Sequence, residues 1–207
     1  MKPEHEGIPK KPEHRLSQHK TFILKIEAER FAQLAEHIIM FDKAFAKKPE
    51  FHMTIIGYSK GELLKKIFEA LPELEEKVNA LLGRFQWQHK VEKKYFHVAQ
   101  DVAIPRQYLE PGQVISDNTD IEKPTVHRES IVQMLDVPDM QLFYTALKEL
   151  LEQAARENPA LQALNIPIDT LCATPPPHVT IYSYNGKGIG INSLEEWNAL
   201  QPQPFEF

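Results

Sequence analysis

Two triplets in this chain set an imidazole two residues before a hydroxyl: His52-Met53-Thr54 and His178-Val179-Thr180, each followed by isoleucine. A histidine near its ordinary pKa of about 6.5 takes or gives a proton close to neutral pH. Cleaving a phosphodiester needs one group to deprotonate the attacking hydroxyl and another to protonate the departing oxygen. Two such histidines on opposite sides of one phosphate supply both. Thr54 and Thr180, about 7 Å along a strand from their histidines, are placed to donate hydrogen bonds to non-bridging oxygens and so stabilise the charge of the transition state. With nine histidines and eight threonines in the chain, chance supplies about a third of one such pair. Two copies in the same strand setting exceed that.

The elements that must position these residues follow from hydrophobic spacing. In a strand, residues i and i+2 share a face, so His52 and Thr54 project together while Met53 and Ile55 enter a core, and the second triplet repeats the arrangement. Residues 21–26 predict a first strand, and Phe31, Leu34, Ile38, Phe41 and Phe45 recur at helical spacing over 29–46. A strand over 51–58 carries the first triplet. Residues 61–82 predict a long amphipathic segment that Pro72 kinks or divides, ended by Gly83. Two strands, 84–91 and 95–104, are expected to join through the charged turn Glu92-Lys93-Lys94, and 105–125 is a connecting loop. Strand 126–137 and a helix from Pro138, interrupted at Asn158-Pro159, precede the strand 178–184 with the second triplet. Asn185-Gly186 signals a hairpin leading into Gly188-Ile189-Gly190-Ile191, and Ser193 with Glu196 reads as a capping box on a last helix. Strand–helix–strand therefore occurs twice, which suggests two lobes of like construction, about 20–104 and 126–207.

Other residues are weaker candidates. Tyr58 and Tyr182 share parity with the motif histidines and are candidates to stack on a base. Lys187 is a candidate phosphate contact from the turn. The glycines 186, 188 and 190 do not open a helix, so neither a phosphate loop nor a dinucleotide fingerprint is supported. His97 and His127 lack a companion threonine and read as core or surface residues. Cys172 reads as a small buried hydrophobe, and no histidine or cysteine spacing suits zinc. No metal or cofactor is called for.

The chain has 207 residues and a formal charge of −5. An acidic balance does not suit a clamp on an extended nucleic-acid backbone, so a small nucleotide or an RNA end is the expected partner. The first 19 residues, with Lys2-Pro3-Glu4-His5 repeated as Lys11-Pro12-Glu13-His14, read as a flexible tail without a signal-peptide apolar region. No run of about 18 apolar residues exists, so a membrane span is not expected. A single cysteine, with no signal, fits the cytoplasm.

The paired motifs resemble those of the 2H phosphoesterase superfamily, which includes RNA 2′,3′-cyclic phosphodiesterases, also called 2′,5′ RNA ligases. That signature, histidine–hydrophobe–threonine or serine–hydrophobe in two copies, is met by residues 52–55 and 178–181. The resemblance follows element order from about 21 to 200. It implies an α/β (α+β), bilobal fold of two pseudo-symmetric lobes, antiparallel sheets facing a central cleft and helices outside. It also implies a metal-independent phosphodiesterase acting on a cyclic or 2′-linked nucleotide phosphodiester, with His52 and His178 catalytic. Two other functions use the same residues: a 3′-end RNA exonuclease, and a nucleotide-binding module without turnover. After the second motif, Tyr184-Asn185-Gly186-Lys187 lacks the arginine common in ligase-like members, and the motifs stand farther apart than in compact members. The substrate stays open.

Overall fold

The structure, a computed structural model, describes residues 20–103, 125–184 and 186–207. The expected tail, 1–19, and nearly all of the 105–125 connection lie outside the described residues. The class is mixed α and β, as expected, with an open antiparallel sheet. Among the described residues the strands are β1 (Phe22–Ile26), β2 (His37–Met40), β3 (Lys43–Lys47), β4 (Phe51–Ile56), β5 (Lys90–Ala103), β6 (Thr125–Asp136), β7 (His178–Tyr184) and β8 (Gln203–Phe205). The helices are α1 (Tyr58–Ala70), α2 (Glu73–Leu82), α3 (Pro138–Glu157), α4 (Pro159–Ala163), α5 (Ile168–Leu171) and α6 (Leu194–Ala199).

Hydrogen bonds join the strands into one sheet in the order β1-β4-β7-β6-β5-β8, with the β2–β3 pair attached to β7. The resemblance implied more than one sheet; here the two motif strands are neighbours in the same one. Contacts divide the described residues into two compact units, one drawn from residues 20–22, Ile56–Gln88 and Pro138–Cys172, the other from Ile23–Ile55, His89–Val137 and Ala173–Phe207. Each unit draws on both halves of the sequence, whereas the expected lobes followed the chain from one end to the other.

The first unit is helical. Pro72 divides the 61–82 run into α1 and α2, because a proline inside a helix lacks the N–H its turn needs. Leu64, Ile67, Leu74, Val78, Phe143 and Leu147 are buried at helical spacing. Trp87 joins them, donating its indole N–H to the Leu82 carbonyl at 3.1 Å and packing its ring 5.4 Å from that of Phe143. Gly61 has to be glycine, since a Cβ there would stand 1.8 Å from the Lys20 carbonyl oxygen. No helix among the described residues is long and apolar enough to cross a membrane.

The second unit is the sheet, and it corrects three expectations. Residues 29–46 form no α-helix: after a short 3-10 turn at Ala28–Phe31 the chain makes the β2–β3 hairpin. Its loop is Phe41-Asp42 with φ of 50° and 58°, the left-handed pair that a two-residue hairpin loop requires. The helix-like spacing was coincidental, for Phe45 is fully buried while Phe41 is 67% exposed. Next, Glu92-Lys93-Lys94 is no turn. It is an irregularity within the single long strand β5, where the register against β6 shifts between Val91 and Tyr95. Residues 84–89 form no strand, and Trp87 has a φ of 56°.

Last, Gly188–Ile191 does not return as a hairpin strand. One edge of β7 pairs with β6, and the other with β4 and β3, so no edge remains for it. Ile189 and Ile191 instead pack with Val98, Val132 and Trp197 in a small core. Ser193 caps α6 as expected, accepting from the Glu196 N–H at 3.0 Å, but the Glu196 carboxylate accepts from the Asn192 N–H rather than closing the box on Ser193.

Candidate functional site

The two triplets lie side by side. Met53 on β4 stands opposite Val179 on β7, and the strands are antiparallel. One step from that pair in opposite chain directions brings His52 toward Thr180 and Thr54 toward His178, a diagonal exchange about the Met53–Val179 centre. Residues directly opposite in an antiparallel pair project to the same side, so all four polar side chains share one face. The burial pattern agrees: Met53, Ile55, Val179 and Ile181 are fully buried, while His52 is exposed and Thr54, His178 and Thr180 are half-buried. The alternation that the sequence implied is present in both strands.

His178 is held by its neighbours. Its Nδ1 lies 2.8 Å from the carbonyl oxygen of Pro176, and since a carbonyl only accepts, Nδ1 carries the proton. Pro175, Pro176 and Pro177 have no N–H of their own, and the Pro177 carbonyl accepts from the Leu135 N–H at 3.0 Å, docking the segment on β6. This leaves Nε2 with its lone pair in the neutral ring, the tautomer a general base needs. Burial pushes the His178 pKa below its ordinary value; the Pro176 bond opposes this, and the nearby charge of His52 adds to it. His52 is pushed down by desolvation first and by the Lys48 ammonium next, against the pull of Glu50. Each imidazole therefore loses its proton more readily than a free one.

Among the described residues, the side chains of His52, Thr54 and Thr180 have no hydrogen-bond partner. Gly188 lies against Thr180, where a Cβ would stand 3.3 Å from the threonine Oγ1. A depression of about 350 Å³ bordered by Gln100, Gly190 and Glu196 lies elsewhere in the sheet unit and includes none of the four motif residues.

The aromatic candidates are not where parity placed them. Tyr182 is fully buried, and its hydroxyl donates to the Ala35 carbonyl at 2.7 Å. The reason is one extra residue in β7: Val132 faces Thr180 but Ile131 faces Tyr182, so Ile181 is inserted and every later side chain changes sides. Tyr58 is no strand residue either. β4 stops at Ile56, Gly57 precedes the helix, and Tyr58 opens α1 in the helical unit, 60% exposed with the Lys20 ammonium 5.4 Å above its ring. Lys187 is exposed on the turn after β7. Cys172 is buried, and burial pushes its thiol up to about 12, in keeping with an inert side chain.

Two features of the sheet were not legible in the sequence. Lys48, four residues before His52, acts on that imidazole and donates to the Gly186 carbonyl at 3.0 Å. On the opposite face of the sheet, Glu129 of β6 accepts from His97 Nε2 at 2.9 Å, from His127 Nε2 at 3.0 Å and from Lys43, and His127 Nδ1 donates to Asp101 at 2.8 Å. His97 and His127, expected as plain core or surface residues, thus belong to a network. Burial pushes the Glu129 carboxyl up, but its three donors outweigh that and hold it below the ordinary value. No group of three His, Cys, Asp or Glu side chains among the described residues is arranged to hold a metal ion.

No protein-family model, curated protein or solved structure matches this chain.

Proposed function

We propose that this protein is a metal-independent phosphodiesterase of the 2H type that hydrolyses a cyclic or 2′-linked nucleotide phosphodiester. The reading rests on one observation: two histidines and two threonines from distant parts of the sequence share one face of adjacent strands in a diagonal exchange. His178, with Nδ1 committed to Pro176, takes a proton from the attacking water at Nε2. The water oxygen bonds to phosphorus, the bond to the departing ribose oxygen breaks, and that oxygen takes the proton of His52. Thr54 and Thr180 donate to the non-bridging oxygens, a role for which their unpartnered hydroxyls are suited. The two imidazoles supply both proton transfers. The expected setting is the cytoplasm and the expected partner a small nucleotide or an RNA end.

Hydrolysis of 2′,3′-cyclic mononucleotides, 2′–5′ dinucleotides and cyclic dinucleotides tests this, with products separated by isomer. His52→Ala and His178→Ala should each slow the reaction by about 10²-fold or more, and EDTA should leave it unchanged. Full activity in either variant would sink the proposal. Tight binding of a nucleotide without cleavage would assign a binding module instead.

A further inference from the structure

We infer that Lys48, rather than Lys187, is the cation that receives the substrate's phosphate, and that it does so by exchanging the Gly186 carbonyl for a phosphate oxygen. This rests on the proposed phosphodiester site and adds to it the one charged residue that the two motifs lack.

The position comes from strand geometry. Lys47 stands opposite Tyr182, on the Glu129 side of the sheet. β3 ends at Lys47, and Lys48 is the residue that follows it, four before His52. The Lys48 N–H bonds the Ile181 carbonyl at 2.8 Å, so its backbone is pinned at the inserted residue of β7, next to Thr180. Its ammonium donates to the Gly186 carbonyl at 3.0 Å, and the turn that begins there passes over Thr180 at Gly188. One lysine thus touches the strand, the turn and the electrostatic surroundings of His52.

Its partner is of the kind that a ligand displaces. Lys43 is matched by Glu129, Lys47 by Glu36, Lys20 by Glu62 and Lys148 by Asp169. Among the described residues Lys48 has no carboxylate within salt-bridge distance; it holds a neutral carbonyl in an exposed hydrogen bond. A phosphate oxygen is the stronger acceptor, since its negative charge adds a Coulomb attraction to the ammonium that a neutral carbonyl does not supply. The charge also acts on His52, and a bound phosphate would offset that action, coupling occupancy to the protonation of the acid.

The test compares wild type with Lys48→Met, Lys48→Arg and Lys187→Met. It measures inorganic phosphate binding, the NMR titration of the His52 ring without ligand, and KM for a 2′,3′-cyclic mononucleotide. Lys48→Met should weaken phosphate binding and raise KM at least about tenfold, and should move the His52 midpoint up. Lys48→Arg should restore most of each. Lys187→Met should stay within about twofold. Unchanged phosphate binding in Lys48→Met, or a loss carried by Lys187→Met, overturns the inference. The two proposals fail separately: Lys48-dependent phosphate binding without cleavage of any diester removes the phosphodiesterase reading alone, and cleavage untouched by Lys48→Met removes the lysine alone.

Discussion

On one face of the sheet Glu129 accepts from Lys43, His97 and His127, and His127 also donates to Asp101. On the other face His52, Thr54 and Thr180 make no hydrogen bond among the described residues, and His178 makes one, through the nitrogen that a base does not use. Each group holds two histidines, yet the groups differ in what they leave unmade. A polar network built around a buried carboxylate that its neighbours satisfy stabilises a fold and leaves that carboxylate little valence for a ligand. Polar groups left unpartnered on a face that solvent reaches are served by water, and a ligand takes its place. Histidine content alone would not separate the two clusters; the count of unmade bonds does.

The largest effects expected are opposite losses on the two faces. Glu129 has a side chain only 3% exposed, and Glu129→Ala would strip its three donors of their acceptor. That should cost about 3 kcal/mol of stability, read by urea denaturation, while the rate per folded molecule stays within a few-fold. His52→Ala should do the reverse, reducing the rate by about 10²-fold or more with stability within about 1 kcal/mol. Activity lost in step with stability in both variants would mean that the faces do one job, and the comparison would be broken.

A smaller effect sharpens the same contrast through pH. Both motif imidazoles titrate below their ordinary value of 6.5. A reaction that needs one protonated and one neutral peaks between the two free-enzyme values, which belong to the coupled pair. The bell of kcat/KM should therefore have its apex on the acid side of about 6.5. Lys48→Met removes one of the causes and should move the apex toward neutrality. An apex above neutral pH would contradict the assignment of roles.

The legible parts of the site were those that alternation within one strand decides. Met53 and Ile55 against His52 and Thr54 could be read off four consecutive residues, and the burial along β4 follows that alternation. What depended on the partner strand could not. That β4 and β7 are neighbours is a fact of long-range pairing, and the insertion at Ile181 that buries Tyr182 exists only relative to β6. The Lys48 bond to Gly186 spans 138 residues, and the Glu129 network gathers side chains from β3, β5 and β6. The fold shows the same division. The helices of 58–82 and 138–157 follow their own periodicity, whereas 37–47 is a hairpin because β7 offers β3 an edge that local spacing does not reveal.

The least effect expected belongs to His127, and its sign differs from that of its neighbour. The bond to Asp101 is the largest cause holding the His127 pKa above 6.5, with Glu129 adding to it. A group raised in the folded state contributes stability that is fully present below its unfolded value and lost as pH rises through the folded one. Glu129 is depressed, so its contribution is present above about 4.5 and lost as pH falls through its folded value. The network is thus at full strength between those limits, from the unfolded carboxylate value up to about 6.5. His127 and Asp101 are 47% and 67% exposed, so solvent screens their pair and its share should be well under about 1 kcal/mol. Asp101→Asn should flatten the slope of unfolding free energy against pH above 6.5 and leave the acid limb, which Glu129 governs, where it was. A change in the acid limb alone would show that Asp101 acts through Glu129 rather than through the imidazole between them.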